Sequence, residues 1–265
     1  MAEDPEYETE VAAPAAGPAS IGGLRRRGIY LLPNLFTTGV LFSGFFAIVQ
    51  AMNGRFDVGA IAIFVAMVLD GMDGRVARWT NTQSEFGAQY DSIADMVAFG
   101  AAPALVAYEW ALKDLGTFGW IAAFLYCAGT GIRLARFNVN IGVVDKRFFQ
   151  GLPSPAAACV VAGLVWALNE YQVQGANVRW LAWGLTVFAG LTMVSSLKFY
   201  SGKDINLRKS VPFSVVVGIT FGIVALFMLS STLPEMLFIL FVAYGMSGYV
   251  MWAMGRRVRP VLPEE

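Results

Sequence analysis

The sequence contains no histidine and only two cysteines among its 265 residues. Both cysteines, Cys127 and Cys159, fall inside long apolar stretches. These absences exclude metal sites built from imidazole or clustered thiolates, and they argue against a disulfide framework. A metal bound by this chain must therefore be a hard cation with oxygen ligands.

Charge is also scarce, because charged residues make up 14% of the chain and hydrophobic residues 57%. This composition is far more apolar than that of a soluble domain. Stretches close to the ~20 residues that cross a bilayer recur along the chain, at 34–52, 57–78, 91–111, 118–137, 154–172, 178–197, 212–230 and 234–254. The sequence therefore predicts an all-α, polytopic membrane helix bundle with about eight transmembrane helices.

The order of the basic residues predicts the orientation of the bundle. If the N-terminus is cytoplasmic, only Arg55, Lys113 and Arg179 of the 19 Lys and Arg residues fall on the opposite side of the membrane. Cytoplasmic loops of membrane proteins carry an excess of Lys and Arg. We therefore expect both termini to be cytoplasmic.

Four aspartates interrupt the apolar pattern at one end of the second and third stretches: Asp70, Asp73, Asp91 and Asp95. Residues three or four apart share a helix face, so the spacing forms two pairs that can converge at the cytoplasmic end. Carboxylates in or near hydrocarbon are costly and need a shared partner. Two divalent cations would neutralise them and bind phosphate oxygens. One such aspartate alone is usually a helix cap, but four in this spacing indicate a metal site.

Small residues and one arginine surround the first pair. Gly71, Gly74 and Ala77 leave room for a bulky ligand or a close helix. Arg78 lies one turn after Gly74, where its guanidinium can bind a phosphate oxygen. Together these residues describe a site for a diphosphate.

The spacing D-x-x-D-G-x-x-A-R-x8-G-x3-D-x3-D, from Asp70 to Asp95, resembles the signature of the CDP-alcohol phosphatidyltransferases at every fixed position. The resemblance implies a membrane enzyme, typically dimeric, with a six-helix catalytic core. Such enzymes transfer a phosphatidyl-type group from a CDP-linked lipid to an alcohol and release CMP.

The resemblance also implies roles for individual residues. Asp70, Asp73, Asp91 and Asp95 would bind two divalent cations, magnesium or manganese, and Asp95 would also act as the general base. Gly74, Arg78 and Ser84 would contact the CDP moiety. The segment with Pro33, Asn34 and Thr37 would border the nucleotide.

Two further segments are similar to the phosphatidylserine synthase branch found in bacteria and archaea. They are Arg133-x-x-Arg136-Phe137-Asn138 and Phe149-Gln150-Gly151-Leu152-Pro153-Ser154-Pro155. Arg133 and Arg136 share a helix face and can take a substrate carboxylate, although plain positive-inside flanking is the alternative. The resemblance thus implies CDP-diacylglycerol and L-serine as substrates.

The expected setting follows from the same patterns. We predict an acidic disordered tail at 1–20, a juxtamembrane segment at 21–33, a transmembrane catalytic domain at 34–255 and a cytoplasmic tail at 256–265. The juxtamembrane segment is either a short helix in the headgroup layer or a basic flank. We expect a homodimer in the bacterial inner membrane, surrounded by lipid, with its active site facing the cytoplasm and no nucleic-acid partner.

Three alternatives stay open from the sequence. Within the same chemistry, the acceptor could be glycerol 3-phosphate, an inositol phosphate or another alcohol. A cation or proton transporter is a different class, since acidic residues in membrane helices also line ion paths. Transport predicts acids spread over the bilayer depth and internal repeats, whereas these four lie at one end. A lipid-binding protein without turnover is the third alternative.

Overall fold

The computed structural model describes the backbone of residues 21–80, 84–139, 148–200 and 232–255. The side chains of residues 21–33, 74, 77–80 and 148 are not described. The predicted tails at 1–20 and 256–265 and the predicted stretch at 212–230 lie outside these residues.

The described chain is mostly helical. Its main helices are α1 (Ile21–Met52), α2 (Phe56–Thr80), α3 (Glu85–Asp95), α4 (Ala102–Ala107), α5 (Thr117–Val139), α6 (Ser154–Glu170), α7 (Arg179–Val194) and α8 (Leu233–Ala253). Short 3₁₀ turns occur at Lys113–Leu115 and Gly175–Val178. The juxtamembrane residues 21–33 continue directly into the first apolar stretch as one helix.

The third apolar stretch is not a uniform α-helix. A π-helical turn at Met96–Ala101 separates α3 from α4, and a second at Tyr108–Leu112 follows α4. The first π-helical turn starts at the residue after Asp95. Such turns are rare and often lie beside functional sites.

Two short strands, which the sequence analysis did not predict, form an antiparallel ribbon. Strand β1 (Phe148–Gln150) precedes α6 and strand β2 (Lys198–Tyr200) follows α7, with Phe149 opposite Phe199. The segment that leads into α6 and the segment that leaves α7 lie side by side, so their backbone N–H and C=O groups pair with each other. The ribbon joins the start of α6 to the end of α7.

Within the described residues, three helices are long and apolar enough to cross a membrane: Asn34–Met52, Thr117–Val139 and Leu233–Ala253. Helix α6 is apolar but has only 17 residues, and α7 has 16. Helix α2 has the length, but charged residues interrupt its apolar sequence: Asp57, Asp70, Asp73, Arg75 and Arg78. The aspartates that mark the site thus reduce the membrane signal of the helix that carries them.

The helices pack around a core of apolar side chains. Helix α1 packs along α2 and also against α3 and the first π-helical turn, while α5 packs on α7 and α6 packs on α8. Fully buried side chains include Ile63, Phe99 and Tyr126. Large apolar side chains such as Phe42 and Phe124 are exposed on the outside, as expected of a surface that contacts lipid.

Aromatic residues gather at the end of α5 and α7 that is opposite to Arg133. The indole Nε1 of Trp183 donates a hydrogen bond to the Phe118 carbonyl at 3.0 Å. The Trp180 ring meets the Trp183 ring edge to face. Trp120, two residues after Phe118, is exposed. Trp and Tyr are enriched where membrane helices meet the interface. This end therefore fits the membrane interface remote from the aspartates.

The contact between α1 and the first π-helical turn depends on Gly44. A Cβ atom at Gly44 would lie 2.5 Å from the Cα of Ala98. We expect Gly44→Ala to destabilise the protein by about 1–3 kcal/mol, because two backbones would have to separate. Gly184→Ala is the matched control, since a Cβ there meets nothing within 4 Å. Thermal unfolding of both variants in detergent measures the difference, and equal midpoints would contradict the assignment.

Candidate active site

Helix α1 connects the two helices that carry the aspartates. The hydroxyl Oγ1 of Thr37 donates a hydrogen bond to Oδ2 of Asp73 on α2 at 3.1 Å. The neighbouring Thr38 shares a 2.9 Å hydrogen bond with the Tyr90 hydroxyl on α3. Helix α1 thus sets the position of both aspartate pairs.

The carboxylates of Asp70, Asp91 and Asp95 meet at one point. Each contributes one oxygen to a group in which all three atoms lie within 4.8 Å of one another. Asp73 is 6% exposed, and its side chain interacts electrostatically with that of Asp91. The four aspartates singled out from the sequence are therefore neighbours in the fold.

The donor set suits a hard divalent cation. Three carboxylate oxygens at this separation are ligands of the kind that magnesium and manganese prefer. Oδ1 of Asp95 is buried and has no hydrogen-bond partner among the described residues. A buried, unpaired carboxylate oxygen is costly unless a cation or proton occupies its vicinity. The residues present therefore fit the predicted metal site.

Ser84 begins α3 at the edge of this cluster. Its Oγ accepts a hydrogen bond from the Gly87 backbone N–H at 3.0 Å, which caps the helix. A Cβ at Gly87 would lie 3.2 Å from that oxygen and 3.7 Å from Oδ1 of Asn34. The glycine thus allows α3 to start close to α1. At Gly74 and Arg78 only the backbone is described. The predicted contacts of both residues with CDP therefore stay predictions, as does that of Ser84.

Arg133 lies beside the acidic cluster and is 9% exposed. Its Nη1 donates a hydrogen bond to Oγ of Ser154 at 2.6 Å, and Ser154 is fully buried. The guanidinium is within electrostatic range of Asp70 and Asp95. A buried cation here partly offsets the charge of the aspartates and has further N–H groups to offer an anion.

Arg136 has a different environment from Arg133. Its guanidinium donates to backbone carbonyls at the end of α7 and of β1: Gln150, Met193, Val194 and Ser195, at 3.0–3.2 Å. The last carbonyls of a helix have no partner within that helix, and a cation there is favourable. Arg136 therefore ties α5 to α7 and to the start of α6. Its predicted contact with a substrate carboxylate stays a prediction.

Gly151 allows the chain to turn at this junction. It adopts a φ of 78°, and its N–H donates to the Leu197 carbonyl at 2.8 Å. A side chain at this position would overlap the Met193 carbonyl and Arg136. Only glycine combines the positive φ with this close approach.

Several polar contacts of the site were not predicted from the sequence. The sequence analysis placed Thr37 beside a nucleotide, but not as the partner of Asp73, and it quoted Ser154 only within a motif. The amide of Asn138 donates to Oγ of Ser92 at 3.0 Å, which joins α5 to α3 beside Asp91. One feature of the sequence could have indicated these partners: each is a polar residue in or beside an apolar stretch, at the end predicted to lie on the same side of the membrane as the aspartates.

Comparisons with known proteins give one consistent result. A family profile described as CDP-alcohol phosphatidyltransferase matches residues 30–194. A protein of Helicobacter pylori strain J99 is 37% identical over 195 residues, which cover 73% of this chain and 82% of that protein. Similar proteins of Methanocaldococcus jannaschii (36% identical; 52% of this chain and 61% of that protein) and Saccharomyces cerevisiae (33%; 49% and 51%) have the same name. All three are called CDP-diacylglycerol–serine O-phosphatidyltransferase. The transporter alternative is not favoured.

The acidic cluster predicts direct binding of a divalent cation. Asp91→Asn should weaken Mn²⁺ binding by about tenfold or more. Mutation of residues that only support a metal ligand already lowers the affinity by about this factor, so loss of a direct ligand should cost at least as much. Asp57→Asn is the matched control, since Asp57 lies in the first turn of the same helix α2 that carries Asp70 near its other end. Titration of the purified protein with Mn²⁺, followed by electron paramagnetic resonance, measures both affinities. Equal affinities in the two variants would remove Asp91 from the cation site.

Proposed function

The chain belongs to the CDP-alcohol phosphatidyltransferase family, and from this we propose that it transfers the phosphatidyl group of CDP-diacylglycerol to the hydroxyl of L-serine, giving phosphatidylserine and CMP. The observation that carries the chemistry is the group of three carboxylate oxygens from Asp70, Asp91 and Asp95 within 4.8 Å of one another. The serine acceptor rests on the name that the relatives share.

The aspartates Asp70, Asp73, Asp91 and Asp95 would hold two divalent cations, magnesium or manganese. When bound, these ions would neutralise the diphosphate and the charge that develops on the leaving phosphate. The hydrogen bond from Thr37 orients the Asp73 carboxylate, so one of its oxygens is held in place before any substrate arrives.

Gly74, Arg78 and Ser84 would bind the CDP moiety. Gly74 lies on α2 between Asp73 and Arg78, where the lack of a side chain leaves room for the nucleotide. Ser84 caps α3, and the start of a helix favours anionic groups because its first N–H groups point outward. The lipid tails of the donor can stay in the bilayer while its diphosphate reaches this end of the bundle.

Asp95 would act as the general base. It takes the proton of the serine hydroxyl, the serine oxygen bonds to the phosphorus that carries diacylglycerol, and the bond from this phosphorus to the CMP oxygen breaks. Electrons of that bond leave with CMP. The position of the Asp95 carboxylate supports this role, because it lies in the acidic group itself and within electrostatic range of Arg133, the proposed serine ligand.

Arg133 and Arg136 are the proposed partners of the serine carboxylate. The contacts favour Arg133 as the direct ligand, since its neighbours include Asp95, the proposed base. Arg136 already donates to four carbonyls and would act by holding the surrounding backbone. A guanidinium can bind a carboxylate through two parallel hydrogen bonds, which would fix the orientation of serine.

The proposal includes the membrane setting. We propose eight transmembrane helices, of which six form the catalytic core, and a homodimer in the bacterial inner membrane. The positive-inside distribution supports cytoplasmic termini and a site that faces the cytoplasm. In this arrangement serine and CMP exchange with the cytosol and both lipids remain in the bilayer.

The proposed function predicts CMP release that depends on serine and on a divalent cation. The purified protein is mixed with CDP-diacylglycerol and one alcohol at a time: L-serine, glycerol 3-phosphate or an inositol phosphate. We expect CMP release with serine, its loss with a chelator and its recovery with Mg²⁺ or Mn²⁺. Preference for another alcohol would overturn the acceptor, and CMP release that resists the chelator would overturn the metal.

Asp95→Asn separates catalysis from binding. The variant keeps the size of the side chain but cannot accept the serine proton, so we expect turnover to fall by about 10²-fold or more while CDP-diacylglycerol still binds. Asp70→Asn should weaken metal-dependent nucleotide binding as well. Steady-state CMP release and binding of the CDP-lipid measure the two effects. Wild-type turnover in purified Asp95→Asn would refute the general-base role.

A further inference from the structure

The C-terminal helix α8 lies outside the family match, which ends at residue 194, yet it packs on the helix that begins at Ser154. On α6, Gly163 allows close approach, because a Cβ there would lie 3.2 Å from the Cα of Phe238. Further along α8, Gly248 leaves space for the ring of Phe199 on β2. Helix α8 thus makes close contacts at two positions, with α6 near Phe238 and with β2 near Gly248.

Tyr244 of α8 lies in the region of Arg133. Its hydroxyl donates a hydrogen bond to the Tyr200 carbonyl on β2 at 3.1 Å, and its ring packs against Phe199 with centroids 5.8 Å apart. The phenol is within electrostatic range of the Arg133 guanidinium. The Tyr244 hydroxyl therefore ties α8 to β2, and β2 pairs with the strand that precedes the turn to Ser154, the hydrogen-bond partner of Arg133.

Tyr249, one and a half turns further along α8, is linked to the same arginine through three hydrogen bonds and the backbone between them. Its hydroxyl shares a 2.8 Å hydrogen bond with Oγ1 of Thr192, which is fully buried on α7. The Thr192 carbonyl accepts from the Leu152 N–H at 3.2 Å. Two residues later, Ser154 accepts from Arg133 at 2.6 Å. Leu152, Ser154 and Thr192 are all fully buried, so these contacts are shielded from water.

We propose that Tyr244 and Tyr249 are positioning residues that hold Arg133 in the orientation that binds the acceptor carboxylate. This inference rests on the proposed function, because it assigns the acceptor side of the same site. Helix α8 sets the place of Thr192 and of the turn from Gly151 to Ser154, and that turn sets the direction of the guanidinium. The aspartates and the CDP moiety are not part of this chain of contacts.

Arg133 needs such support because its side chain is long and has many rotamers. Among the described residues, Ser154 accepts a hydrogen bond from Arg133, and the other N–H groups of the guanidinium can bind a ligand. A guanidinium that rotates away from the productive geometry loses the two-point contact with a carboxylate. A small shift of Ser154 would therefore weaken serine binding without changing the binding of the CDP-lipid.

Removal of the two hydroxyl groups tests the proposal. In purified Tyr249→Phe and Tyr244→Phe, the KM for serine should rise by about three- to tenfold, the loss expected of one hydrogen bond, while kcat and the KM for CDP-diacylglycerol stay unchanged. Thr192→Val removes the Tyr249 contact from the other side and should have the same effect. Tyr171→Phe is the matched control, since it deletes an exposed hydroxyl just after α6 that interacts with Glu235 in the first turn of α8, at the other end of that helix from Tyr249.

A double-mutant cycle separates positioning from general stability. If Tyr249 acts through Arg133, then Tyr249→Phe should have no further effect on the serine KM in an Arg133→Lys background. Additive effects, an unchanged serine KM in all three single variants, or equal rises in both KM values would overturn the inference. Wild-type protein that releases no CMP with serine would instead overturn the proposed function, and this inference with it.

Discussion

The structure depends on holding several carboxylates together inside an apolar helix bundle. Like charges at this distance repel, and each must lose part of its hydration to be buried. The protein meets this cost with a fixed scaffold: Thr37 donates to Asp73, α1 supports both aspartate-bearing helices, and Arg133 places a positive charge beside Asp70 and Asp95. Because these supports come from α1 and α5, the site is assembled from helices that are distant in sequence.

The two arginines of α5 illustrate how position on a helix decides chemistry. They are three residues apart and share a face, but Arg133 contacts a buried hydroxyl whereas Arg136 contacts four backbone carbonyls. Arg136 stands at the junction of α5, α7 and the short ribbon, so it stabilises the same turn that presents Ser154 to Arg133. The two arginines are thus linked through one segment of backbone, from Gln150 to Ser154.

Much of the site could be predicted from the sequence because its signals are local. The spacing of the aspartates and the helical period were enough to predict that Asp70, Asp91 and Asp95 lie close together. The partners of these residues were not predictable in the same way. Thr37, Ser154 and Tyr244 come from other helices, and nothing in their own segments says which helix they will face. The ribbon was missed because strands of three residues in a loop carry almost no periodicity.

The prediction of membrane-spanning helices from the sequence had a related limit. Within the described residues, the apolar runs predicted helices at the right places. Helix α2 carries charges of the site, and α6 and α7 are short, so length and composition alone single out α1, α5 and α8 among the described helices. The helix of the second aspartate pair departs most from a simple pattern, since a π-helical turn begins directly after Asp95.

That turn lets α3 and α4, which follow each other in the third apolar stretch, direct their side chains to different sides. One extra residue per turn rotates everything downstream by about 100° relative to an uninterrupted α-helix. Asp91 and Asp95 can therefore point toward Asp70 while Phe99 and Ala102, only a few residues later, fill the core. A deletion of one residue within Met96–Ala101 would leave the aspartate motif intact in the sequence, but it would rotate Asp91 and Asp95 relative to the residues of the same helix that fill the core.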